Sequence, residues 1–160
     1  MNMNVKSLKQ YGILLSCVVL VALVSLIFVL RGDKNRAIST VESNAELRDV
    51  YDRALAREEQ IKLEPDNFEL YNAAMFLWKS LGDRTNQTYF YQRAIRIAQK
   101  AEKNEKAQSA LFNVNAGNIY KLMGEYKKAE KQYQRAVEIN TGDATMWMAY
   151  LDLYINYAKK

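Results

Sequence analysis

The 160 residues contain no histidine, one proline, one cysteine and six glycines. Without histidine, and with the lone thiol of Cys17 inside an apolar run, metal sites of the His/Cys type and Cys/His or Ser/His catalysis are excluded in their usual forms. No glycine-rich phosphate loop occurs, and the acidic residues are spread along amphipathic segments. The sequence therefore predicts no catalytic residue, no metal ligand and no cofactor, and a chain that is not an enzyme. A single cysteine makes no internal disulfide. Scarce proline and glycine leave few breaks, which favours a mostly helical protein.

Charge of one sign is also missing from most of the chain. The formal net charge is +5, but from Ala37 onward there are 18 Lys/Arg against 17 Asp/Glu. The rest of the excess comes from Lys6, Lys9, Arg31, Lys34 and Arg36, offset by Asp33. These charges flank an apolar run and do not form a nucleic-acid stripe, so no nucleic-acid partner is expected.

That run, "YGILLSCVVLVALVSLIFVL" from Tyr11 to Leu30, carries no charge. Twenty helical residues reach about 30 Å, the thickness of a bilayer core. It reads as a transmembrane helix over 11–30, after a basic tail at 1–10 and before a polar tether at 31–43, either a flexible linker or a helix continuous with the span. A cleaved signal peptide fits less well, because no small-residue cleavage site in a polar region follows Leu30. A lipoprotein site at Cys17 fits poorly too, since thirteen mostly strongly apolar residues follow it. The basic counts on the two sides nearly tie. An apolar run directly after a short basic tail favours an uncut signal-anchor, which leaves everything after the span outside the cytoplasm. A reporter active only in the cytoplasm, fused after Lys160, is then expected to be silent; an active one reverses the orientation.

Beyond the span the chain repeats itself. "GDRTNQTYFYQRA" at 82–94 returns as "GEYKKAEKQYQRA" at 124–136, with each glycine nine residues before an identical Tyr-Gln-Arg-Ala. Tyr71, Ala74 and Trp78 map by the same offset onto Asn113, Ala116 and Tyr120. A further 34 residues gives Trp147, Tyr150 and Tyr154. A spacing kept three times implies one supersecondary unit, stacked. Within the second unit Ala116, Ile119, Tyr120 and Met123 recur at helical spacing, Gly124 interrupts, and Ala129, Tyr133, Ala136, Val137 and Ile139 resume it, which predicts a helix hairpin. Ser43-x-x-Glu46 and Asp66-x-x-Glu69 mark helix starts. A leader helix over 44–64, hairpins over 68–103 and 105–143 and a capping helix over 144–158 follow. Eight surplus residues between the units are expected to lengthen both helices around a turn near Asn104, with Ala107 continuing into the next helix. Ala74, Trp78, Tyr91, Ala94, Ala116, Gly117, Tyr120, Ala129, Tyr133, Ala136, Trp147 and Tyr150 form the expected core of a helical domain over 44–160. Of the consecutive aromatics Tyr89, Phe90 and Tyr91, at least one must be exposed or covered by a neighbour.

Asn113-x-x-Ala116-Gly117-x-x-Tyr120, followed by Ala129-x-x-x-Tyr133 and Ala136, resembles the tetratricopeptide repeat, with Asn113 in place of the usual tryptophan and Thr141 in place of the usual proline. The resemblance implies an all-α fold, here a single N-terminal transmembrane helix followed by a short α-solenoid of antiparallel hairpins. It also implies that the concave face, made by the first helix of each hairpin, holds a protein or peptide segment. On this chain that face corresponds to Asn72, Phe76 and Lys79, then Asn115, Asn118 and Lys121, then Met148 and Asp152. Asn115 and Asn118 suit a peptide backbone because each amide both donates and accepts, and as exposed positions both are expected to tolerate alanine without loss of stability. The family's clamp for acidic chaperone tails is matched only at Asn115, since Phe76, Thr145 and Ala149 occupy other clamp positions. The leading expectation is a membrane-tethered adaptor with two partners, a protein segment and, through 11–30, the lipid bilayer. The alternatives are a subunit docked through its span into a larger membrane complex, and a receptor for precursor proteins.

Overall fold

The structure, a computed structural model, describes residues 5–104 and 109–157, with side chains from Leu14 onward. Ala107, residue 158 of the expected cap and the first four residues of the basic tail lie outside the described residues. Seven helices and no strand occur among the described residues: α1 (Val5–Glu42), α2 (Ala45–Leu63), α3 (Phe68–Thr85), α4 (Thr88–Glu102), α5 (Ala110–Leu122), α6 (Tyr126–Ile139) and α7 (Ala144–Asn156). The fold is all-helical: a long apolar N-terminal helix, then a stack of hairpins.

Local chemistry sets the boundaries. Asn44 in extended backbone accepts from the amides of Glu46 and Leu47, and Asn67 accepts from that of Glu69, so α2 and α3 start there. The sequence signals at Ser43 and Asp66 each fall one residue early. Ser109 and Asp143 cap α5 and α7 in the same way. At the end of α5, Gly124 adopts φ +73 while the Gly124 and Glu125 amides donate to the Lys121 and Tyr120 carbonyls, a Schellman closure.

The α3 stop differs from what the repeated glycine suggests. Asn86, not Gly82, takes the left-handed conformation there, with φ +53. Gly82 lies inside α3 and does the work of Gly117. A Cβ at Gly82 would stand 2.7 Å from the Tyr91 ring, and one at Gly117 would stand 2.7 Å from the Tyr133 ring. The next residue accepts the tyrosine hydroxyl in both cases: Tyr91 donates to Asp83 (2.8 Å) and Tyr133 to Asn118 (2.7 Å). The surplus between the units also sits elsewhere than expected. Among the described residues it is mostly in α3, which has 18 residues against 13 in α5.

The core runs continuously from α1 to α7. Trp78 anchors its first half: fully buried on α3, it stacks on Phe90 of α4 (6.1 Å) and meets the edge of Tyr51 of α2 (5.4 Å). Its indole N–H donates to Glu58 (2.6 Å), while Arg93 lies 4.6 Å from its ring centroid and donates to the same carboxylate oxygen (2.6 Å). Asn113, where the family carries tryptophan, is also fully buried; its Nδ2 donates to the Ser109 carbonyl, while its Oδ1 has no partner among the described atoms. Trp147 departs from the expected core. It is 42% exposed, because no described element lies on that side of α7, and Met146 and Leu153 face inward instead. Tyr91 and Tyr150 are half-buried. Tyr89 and Phe90 are buried, and Tyr89 lies beside α1.

Residues 31–42, read from sequence as a tether, continue the helix that contains the apolar run. Ala37 and Val41 are buried in the repeat core, and α1 packs on α2 and α4. At 1.5 Å per residue α1 is about 57 Å long. It is long and apolar enough to cross a bilayer. The repeats are thus fixed to it by packing.

Burial raises five tyrosines above their ordinary pKa of 10.0: Tyr51 and Tyr71, Tyr91 and Tyr120 to about 12, and Tyr133 higher still, with nearby carboxylates adding to the effect. A folded-state pKa above the unfolded one gives stability that is complete below pH 10 and is lost as pH rises toward the folded value. Thermal melts are expected to hold a constant midpoint up to about pH 10 and to fall beyond it. A midpoint unchanged at about pH 11.5 would contradict the burial of these hydroxyls.

Candidate partner-binding surface

The first helices of successive hairpins, α3, α5 and α7, each carry an outward stripe. On α3 it is Phe68, Asn72, Phe76 and Lys79; on α5, Leu111, Asn115, Asn118 and Leu122; on α7, Met148, Asp152 and Ile155. All keep spacings of three or four residues, so each set shares one helix face. Two contacts, one of them through Lys121 a turn beyond Asn118, join the three helices along this face. Asn115 Nδ2 donates to Asn72 Oδ1 (2.9 Å), tying α5 to α3, and Lys121 Nζ pairs with Asp152 (2.8 Å), tying α5 to α7. The Lys121 ammonium holds the Asp152 carboxyl below the usual carboxylate range.

Six of the eight residues expected from sequence have internal partners. Asn72 binds Asn115, Lys121 binds Asp152, Lys79 pairs with Asp83 (2.6 Å) on its own helix, and Asn118 accepts from the buried Tyr133 hydroxyl. Only Phe76 and Met148, 63% and 60% exposed, stand clear of the fold. The expectation that Asn115 and Asn118 tolerate alanine without cost is corrected by these bonds. Tyr133 is fully buried and its hydroxyl needs an acceptor, so removing the Asn118 amide strands it at about 1 to 3 kcal/mol.

Four further apolar members of the stripes, Phe68, Leu111, Leu122 and Ile155, are not among the residues expected from sequence, although helical spacing from Asn72, Asn115, Asn118 and Asp152 reaches them. A cleft of about 550 Å³ lies at the α5–α6 turn between the start of α6 and the end of α7. Tyr126 and Tyr157 stack on its wall with centroids 5.0 Å apart. Among the described residues no group of His, Cys, Asp and Glu is arranged to hold a metal ion.

Residues 110–143 match a family model described as tetratricopeptide repeat. The chain contains a tetratricopeptide repeat. The matched segment starts at the first residue of α5 and ends at Asp143, the cap of α7, so the tetratricopeptide unit coincides with one hairpin and its exit turn. Tetratricopeptide repeats generally bind proteins or peptides and are generally non-enzymatic adaptors. No curated protein matches the chain.

Proposed function

We propose that the chain is a membrane-tethered adaptor that holds a protein segment along the face made by α3, α5 and α7. The observation that carries this is the exposure of Phe76, Leu122 and Met148 on stripes whose polar members are already engaged within the fold. Apolar side chains left open around internally satisfied polar groups favour a partner that supplies apolar anchors. Support for the tether is the exposure of Leu14 to Leu30 on every side of α1, since a helix apolar all round requires a non-aqueous surrounding. Confinement beside the membrane raises effective concentration, so a groove of modest affinity recruits usefully.

The test is affinity purification of the full chain from its native membranes in mild detergent. Phe76→Ala with Met148→Ala is expected to remove a stoichiometric partner while leaving the melting temperature almost unchanged, because both side chains are exposed. Asn118→Ala is expected to lower the melting temperature instead. A partner that stays with the double variant but leaves when residues 11–30 are exchanged for an unrelated apolar span contradicts the proposal, since that partner docks through the membrane.

A further inference from the structure

The face of α1 that docks on the repeats through Ala37 and Val41 continues upward through Lys34, then the adjacent pair Arg31 and Leu30, then Ile27, each a helical turn from the last. There it meets α4, whose Tyr89, Arg93 and Arg96 keep the same spacing. The two helices border a cleft of about 300 Å³, lined from α1 by the apolar Ile27 and Leu30 and the cationic Arg31 and Lys34, and from α4 by Arg93 and Arg96 together with Tyr89 and Gln92. No acidic residue lines it. Asp33, four residues before the buried Ala37, is half-buried on the docked face of α1 and does not line the cleft.

The four cations are not equivalent. Arg93 is neutralised by Glu58 and held over Trp78. Arg31, Lys34 and Arg96 have no acidic partner among the described residues. Three unpaired cations around one cleft repel one another unless they share an anion. Basic residues at the end of a span are ordinary anchors to the headgroup layer. Arg96 is different, since it comes from a repeat helix more than sixty residues along the chain and is carried to the same level by the docking of α1.

We infer that this cleft binds one anionic phospholipid of the leaflet on the repeats' side. The phosphate lies among Arg31, Lys34 and Arg96, and the first part of an acyl chain lies against Ile27 and Leu30. The inference rests on α1 crossing the membrane. Leu30 and Arg31 are adjacent, so the change from apolar to cationic wall falls where hydrocarbon gives way to headgroups. That apolar wall favours a lipid over a free phosphate, which would use only the cationic half. A bound lipid would also fill the notch between anchor and repeats and hold the stack at a fixed angle to the bilayer.

The test uses the full chain in vesicles of phosphatidylcholine with a minority of phosphatidylglycerol, followed by gentle detergent extraction and mass spectrometry of the lipids retained. Wild type is expected to retain phosphatidylglycerol over phosphatidylcholine in a ratio at least about tenfold above that of the vesicle. Arg31→Ala/Lys34→Ala/Arg96→Ala is expected to lose that enrichment, whereas Lys100→Ala/Lys127→Ala/Lys131→Ala, with the same change in charge on exposed positions elsewhere, keeps it. Equal retention by the two variants overturns the inference. So does loss of the enrichment in excess inorganic phosphate, which would make the ligand a free anion. Flotation with pure phosphatidylcholine vesicles after an alkaline carbonate wash separates the two levels of the account. A wild type that floats but does not enrich phosphatidylglycerol refutes the lipid site alone; one that fails to float removes the membrane span and the lipid site together.

Discussion

Replacing Trp78 with alanine is expected to destabilise the protein by about 3 to 5 kcal/mol, enough to leave a marginal domain of this size partly unfolded at physiological temperature. The indole is fully buried where α2, α3 and α4 meet, so its loss opens a cavity that three helices border. It also removes the N–H donor to Glu58 and the surface under Arg93, which turns a shared arrangement of three groups into a lone ion pair. Chemical denaturation followed by circular dichroism reads the change. Trp78→Phe, which keeps the stacking on Phe90 but not the N–H donor, is expected to recover more than half of the loss. A Trp78→Ala protein within about 1 kcal/mol of wild type would mean that this junction does not organise the first hairpin.

Gly117→Val is expected to cost about 2 to 3 kcal/mol although valine is the better helix former. A Cβ at Gly117 stands 2.7 Å from a Tyr133 ring that is fully buried and tethered by its hydroxyl to Asn118, so the ring has nowhere to go. Gly82 presents the same distance to Tyr91, but that ring is half-buried at the rim and swings outward. Gly82→Ala is therefore expected to be nearly neutral, the gain in helix propensity offsetting the displacement, while Gly117→Ala destabilises. Equal effects at the two glycines would show that burial of the facing ring does not decide the outcome. Differential scanning calorimetry of the set gives the comparison directly.

Much of this architecture is legible in the residues because repetition converts weak helical signals into a register. Ala74, Ala94, Ala116, Ala129 and Ala136 all lie at complete burial, since positions where two helices approach closely admit only small side chains. What repetition hid is the change of role between copies. Gly82 and Gly124 occupy matching positions in the text, yet one serves as a seat for an aromatic ring and the other as a helix stop, because α3 runs on to Thr85 while α5 ends at Leu122. Trp147 repeats the family's large residue at the right place and is still exposed, because its burial needs a helix on the outer side of α7 and none is present among the described residues. The surface residues were the least legible. Whether Asn115 grips a partner or Asn72 is decided by where α3 lies relative to α5, a long-range relation that spacing along one helix does not contain. Tether and anchor were also indistinguishable in sequence: a polar stretch such as 31–42 reads as a linker until Ala37 and Val41 are seen inside the core.

The most direct measurement of the central claim is site-specific photocrosslinking of the full chain in intact membranes, with a photoreactive residue placed in turn at Phe76, Met148 and, on exposed parts of α2 and α6, at Asp52 and Glu138. The account predicts that Phe76 and Met148 crosslink to the same protein and that Asp52 and Glu138 do not. Crosslinks to that protein from Asp52 or Glu138 with none from Phe76 and Met148 would contradict it, because the partner would then sit on the opposite side of the stack from the surface made by α3, α5 and α7.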